Sequence, residues 1–89
     1  MKKRYHLIFE GRVQGVGFRY RSQIIANKYR LTGFVRNLYN GDVEMCVQGE
    51  DSDIDKFLEE LYNQRFISID NIKKEKKDLV EEGSFDIKY

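Results

Sequence analysis

The residue types that could do chemistry in this chain are concentrated in Gly11-Arg12-Val13-Gln14-Gly15-Val16-Gly17-Phe18-Arg19. They fall where a strand-like alternation gives way to helical spacing. A helix N-terminus carries backbone N–H groups without partners and a partial positive charge. Glycines at 15 and 17 let the chain curl so that successive N–H groups converge on one anion. Arg19 and Arg21 fall in the first helical turn, where a cation opposes the helix dipole at a cost of roughly 0.3–1 kcal/mol each. A local rule broken without structural return points to a ligand. A phosphate would supply that return, because a guanidinium can bond two of its oxygens in parallel. The competing reading is a glycine-rich turn whose arginines simply reach into water.

The loop is not a nucleotide signature. No Gly-Lys-Ser/Thr closes it, and Tyr20 stands where the dinucleotide fingerprint needs its last glycine. Charge distribution supports an anion site. No acid occurs between Glu10 and Asp42, a stretch that carries Arg12, Arg19, Arg21, Lys28, Arg30 and Arg36. The net charge is only +1, which argues against a nucleic-acid binder.

The elements that must position this loop follow from periodicity. Tyr5, Leu7 and Phe9 alternate with His6, Ile8 and Glu10 in a first strand. Phe18, Ser22, Ile25, Ala26 and Tyr29 recur at helical spacing. Leu31 to Tyr39 is strand-like, Asn40-Gly41 signals a type I′ hairpin, and Val43, Met45 and Val47 form the returning strand. Ser52 or Asp53 is the expected cap of a second helix with the stripe Ile54, Phe57, Leu58 and Leu61. Ile67 to Glu75 reads as a fourth strand with Ile67, Ile69 and Ile72 inward, and Phe85, Ile87 and Tyr89 as a short last one. The order predicts an α+β fold, the ferredoxin-like βαββαβ sandwich. Its antiparallel sheet carries two helices on one face and a short extra C-terminal strand.

Bulk properties fit one domain spanning residues 1–89. Apolar residues make up 40% and aromatics 13% of the chain, and proline is absent, so one packed core without a proline-rich linker is expected. There is no long apolar run, no hydrophobic leader, no Asn-x-Ser/Thr sequon and a single cysteine, Cys46. A cytoplasmic protein is expected.

The loop Gly11 to Arg19 closely resembles the long signature of the acylphosphatase family. Thr32-Gly33-Phe34-Val35-Arg36-Asn37-Leu38, followed by Gly41-Asp42-Val43-Glu44, resembles the family's second signature. The resemblance runs over nearly the whole chain. It implies hydrolysis of the carboxyl–phosphate bond of acyl phosphates to a carboxylate and inorganic phosphate. It carries the catalytic roles onto Arg19 and Asn37. The backbone phosphate cradle falls on Gln14, Gly15, Val16, Gly17 and Phe18. It further implies no metal, no cofactor and no covalent enzyme intermediate. The partners expected are a small acyl phosphate, with inorganic phosphate as product and competitive inhibitor. No nucleic acid, no membrane and a monomeric state complete the expectation.

Other candidates read as structural. His6, the only histidine, has no second ligand at metal spacing. Cys46 alternates on a strand and reads as a packed thiol. Lys73-Lys74-Glu75-Lys76-Lys77 suits an exposed strand edge protected from further pairing. The runner-up for the whole protein is a non-catalytic module. Either an RNA-binding domain, which Gly33-Phe34-Val35 faintly resembles, or a small-anion regulatory module would fit.

Overall fold

The computed structural model describes residues 1–89. Its elements run β1 (Lys2–Arg12), α1 (Phe18–Lys28), β2 (Thr32–Asn37), β3 (Val43–Glu50), α2 (Asp51–Tyr62), β4 (Ser68–Lys77) and β5 (Phe85–Lys88). One five-stranded sheet has the order β4-β1-β3-β2-β5. This is the ferredoxin-like α+β fold. The first four strands pair antiparallel, and the short last strand joins β2 in parallel. The chain reaches β5 from the far edge of the sheet, which sets that parallel direction.

One layer of side chains makes the core. Leu7 and Phe9 of β1, Val35 of β2 and Met45 and Val47 of β3 meet Phe18, Ile25, Ala26, Ile54, Phe57 and Leu61 from the helices. Both helices therefore lie on one face. Phe9 and Phe18 have ring centroids 4.9 Å apart, which joins the start of α1 to the end of β1. Ser22 is the one polar residue buried in α1, and its hydroxyl donates to the Phe18 carbonyl at 2.7 Å.

Local geometry departs from the sequence expectations in two places, the β2–β3 turn and the start of α2. The β2–β3 turn is not type I′: Gly41 has φ 95°, while Asn40 is not at positive φ. Leu38 and Asp42 instead close a three-residue loop, with Leu38 N–H donating to Asp42 O at 2.9 Å. Asn40 Oδ1 accepts from the Asp42 N–H at 3.0 Å, so the asparagine braces the turn with its side chain. The second helix begins at Asp51 after Glu50, with no side-chain cap. Ser52 and Asp53 lie inside it because the Met1 carbonyl takes the Asp51 N–H at 3.0 Å. In β4, Ile69 and Ile72 both turn toward the core although three residues apart. A bulge opposite Glu10 and Gly11 restores their common face.

Gly33 is required by backbone approach. Its φ is 138°, and a Cβ there would sit 1.9 Å from the Cys46 carbonyl oxygen. Part of the second signature is therefore packing between β2 and β3 rather than chemistry.

Residues 78–84 cross from β4 at one edge to β5 at the other, over the face the helices leave open. Gln48 acts as a surrogate strand for this strap. Its Oε1 accepts from the Val80 N–H at 3.0 Å, and its Nε2 donates to the Val80 carbonyl at 2.9 Å. Glu82 accepts from Arg4 and, at 2.9 Å, from Thr32. Arg4 is thereby buried to 8% exposure with its charge paired.

Candidate active site

The loop between β1 and α1 is pinned at both ends by buried side chains. Val13 is fully buried and Phe18 nearly so. Gly15 and Gly17 have φ of 73° and 78°, while no residue between or beside them is positive. The alternation of sign rolls the chain into a concave nest of N–H groups. A Cβ at either glycine would meet nothing within 4 Å. The glycines are thus needed for their backbone angle, and the space in front of them is open.

None of the backbone N–H groups from Gln14 to Tyr20 donates to an acceptor in the chain. The start of α1 has no side-chain cap and no acid in its first turn. Buried or half-buried donors left in this state are expensive unless water or a ligand accepts from them. The sequence-predicted cradle, Gln14 to Phe18, lies within this run, which continues into the helix as far as Tyr20.

Arg19 projects from the first turn of α1. It makes no ion pair with any acid of the chain. Its guanidinium carbon lies 4.9 Å from the Tyr89 ring centroid. Stacking on a ring holds the guanidinium by its flat face and leaves its N–H edges free to bond an anion. Asn37 is the last residue of β2. Alternation puts it on the same face as the core residue Val35, toward α1. Its amide makes no hydrogen bond within the chain. Gly15, Gly17, Arg19 and Asn37 line one cleft of about 240 Å³, together with Val13, Phe18, Tyr20, Ile87 and Tyr89. Residues distant in sequence, the loop and Asn37, are thus brought together, while Gln14 and Val16 of the expected cradle do not line the cleft.

Two contributors were invisible in the sequence. The Gln14 side chain spans to the β2–β3 hairpin, where its Nε2 donates to the carbonyls of Leu38 and Asp42, each at 2.7 Å. Gln14 therefore ties the cradle to the strand that carries Asn37. Tyr89 follows directly on β5, after the strap has crossed the sheet. Neither has a local signal, since each partner is more than twenty residues away.

The side chains read as structural stay outside the cleft. His6 Nε2 lies 2.8 Å from Glu44 Oε2 on the opposite sheet face. Cys46 is buried, and burial pushes its thiol above the ordinary value of 9.0. The lysine run lies on β4, an edge strand. An RNA-binding domain of this fold stacks bases on its open sheet face. Here the strap crosses that face, Gln48 is buried beneath it, and Lys88 sits 4.1 Å from the Phe34 ring centroid.

The family model for acylphosphatase matches residues 5–87. An acylphosphatase of Clostridium acetobutylicum is 41% identical over 91 aligned positions, covering both chains completely. One of Geobacillus thermodenitrificans is 44% identical over 98% of this chain and 95% of its own. The crystal structure of acylphosphatase from Bacillus subtilis superposes with a TM-score of 0.90 at 36% identity, covering both chains in full. Matched in sequence and in fold from end to end, the chain belongs to the acylphosphatase family, whose members hydrolyse acyl phosphates.

Proposed function

We propose that this acyl phosphate hydrolase works through Arg19, Asn37 and the backbone of Gln14 to Phe18. The observation that carries the proposal is the run of unpartnered N–H groups from Gln14 to Tyr20, of which Gly15 and Gly17 to Tyr20 line one cleft, Arg19 among them without an acid partner. The phosphoryl group lies against these donors and Arg19, which bind its oxygens as charge shifts toward the leaving carboxylate. Phosphoryl transfer from an activated donor asks chiefly for positioning and charge stabilisation. Asn37 Oδ1 accepts a hydrogen bond from the attacking water and aims it at phosphorus.

The water oxygen bonds to phosphorus and the bond from phosphorus to the carboxylate oxygen breaks. The leaving group departs as a carboxylate. No Asp, Glu, His or Cys side chain lines the cleft, so the water proton passes to a phosphoryl oxygen and leaves with inorganic phosphate. The reaction needs no metal, no cofactor and no phosphorylated enzyme. Inorganic phosphate occupies the cradle as a competitive inhibitor. Residues 1–89 act as a single-domain monomer in the cytoplasm, in keeping with one buried, unpaired cysteine.

The test is phosphate release from benzoyl phosphate in the presence of EDTA. Turnover that persists, with inorganic phosphate competing, is expected. Folded protein without turnover would return the chain to the small-anion regulatory reading.

A further inference from the structure

The cleft has more room than the phosphoryl group needs. Its volume of about 240 Å³ would hold roughly eight waters at about 30 Å³ each. The remaining space is walled by rings rather than charges. Tyr20 stands at its mouth, 61% exposed, and makes no hydrogen bond, ring contact or cation contact within the chain. A second groove of about 660 Å³ shares Asn37 and Tyr89 with the cleft and carries Tyr39, which is fully exposed. The acyl group of a substrate could lie toward either tyrosine.

In-line displacement decides between them, because the attacking and leaving oxygens lie on opposite sides of phosphorus. Asn37 belongs to the sheet wall of the cleft, so the water it aims comes from that side. The acyl group therefore leaves on the helix side, where α1 presents Tyr20. The Tyr39 groove lies on the side of the attacking water.

We infer that the Tyr20 ring is the acyl-group subsite, packing against aryl acyl groups and favouring aryl over acetyl phosphates. This rests on the reading of Asn37 as the residue that aims the water. An exposed ring on a first-turn position can be replaced without disturbing the core.

The experiment measures kcat and KM for benzoyl phosphate and acetyl phosphate in the wild type, Tyr20→Ala, Tyr20→Phe and Tyr39→Ala. Tyr20→Ala is expected to lower the benzoyl-to-acetyl ratio of kcat/KM by about two- to tenfold, mostly through KM for benzoyl phosphate. Tyr20→Phe keeps the ratio, because the ring and not the hydroxyl makes the contact. Tyr39→Ala keeps it as well. A ratio unchanged in Tyr20→Ala, or one that falls in Tyr39→Ala instead, overturns the inference. Acetyl phosphate, which has no ring, separates the two readings when assayed with Asn37→Ala. Wild-type turnover there overturns the Asn37 assignment and the inference together. Collapse there, combined with an unchanged ratio in Tyr20→Ala, overturns the inference alone.

Discussion

Arg19 holds a positive charge in a first helical turn that contains no acid, and the dipole opposes it. The same placement aims the guanidinium at whatever anion the loop binds. Arg19→Ala should therefore reduce kcat/KM by roughly three to five orders of magnitude, the range seen when an arginine on a transferring phosphoryl group is removed. Inhibition by inorganic phosphate should weaken with it, which a steady-state inhibition assay reads directly. Asn37 is expected to behave differently. In the proposed mechanism its amide meets the water and not the ground-state phosphate, so Asn37→Ala should lower turnover about 100-fold and leave phosphate inhibition nearly intact. Loss of phosphate binding in that variant would refute its role as a water positioner. Arg19 was legible in sequence because it broke a rule about helix ends. Asn37 broke none, and only the family resemblance singled it out.

At the scale of elements, the site is a junction between the β1–α1 loop and the β2–β3 hairpin. The loop is fixed by its buried flanks, Val13 and Phe18, and the hairpin is held to it by Gln14. Two hydrogen bonds of 2.7 Å at about 0.5–1.5 kcal/mol each make Gln14→Ala worth about 1–3 kcal/mol in a denaturant titration. Its effect on turnover should exceed its effect on phosphate inhibition. The cradle itself remains, while its distance from Asn37 loosens. Equal losses in both would mean that Gln14 shapes the cradle rather than its placement. The alternation and helical spacing made these elements readable. The hairpin turn was misassigned because Asn40-Gly41 fits two loop lengths equally well, and the three-residue loop won through the Asn40 brace.

The whole molecule is closed by its C-terminal strap. Arg4, itself buried, and the partly buried Glu82 form an ion pair beneath it, and the strap delivers β5 and Tyr89 to the cleft. Removing one partner of such a pair leaves the other charge unpaired, at a cost of about 3 kcal/mol. Glu82→Gln should accordingly lower Tm by about 10–20 °C, measured by calorimetry. A shift of only a degree or two would show that the pair contributes little. Glu44 adds a pH dependence. Burial pulls its pKa up, but hydrogen bonds from His6 and Arg36 outweigh this and hold the carboxyl below its ordinary value of 4.5. A carboxylate with a depressed folded pKa stabilises fully above the unfolded value, and that contribution fades as pH falls through the folded one. Stability should thus drop below about pH 4.5, and Glu44→Gln should flatten that part of the curve in urea titrations across the acid range.

The sequence by itself determined the order of elements, the core faces, the glycine-rich loop and, through two long motifs, the family. These are written in local periodicity and in backbone needs that only glycine meets without strain. The tertiary structure decided which distant groups meet. It set Gln14 against the hairpin carbonyls, laid the Tyr89 ring on Arg19, and buried Arg4 under the strap. The glycine-rich loop is therefore only half of the proposed site. Its N–H groups need a partner strand at a fixed distance, and the packing of the sheet and its crossing strap sets that distance.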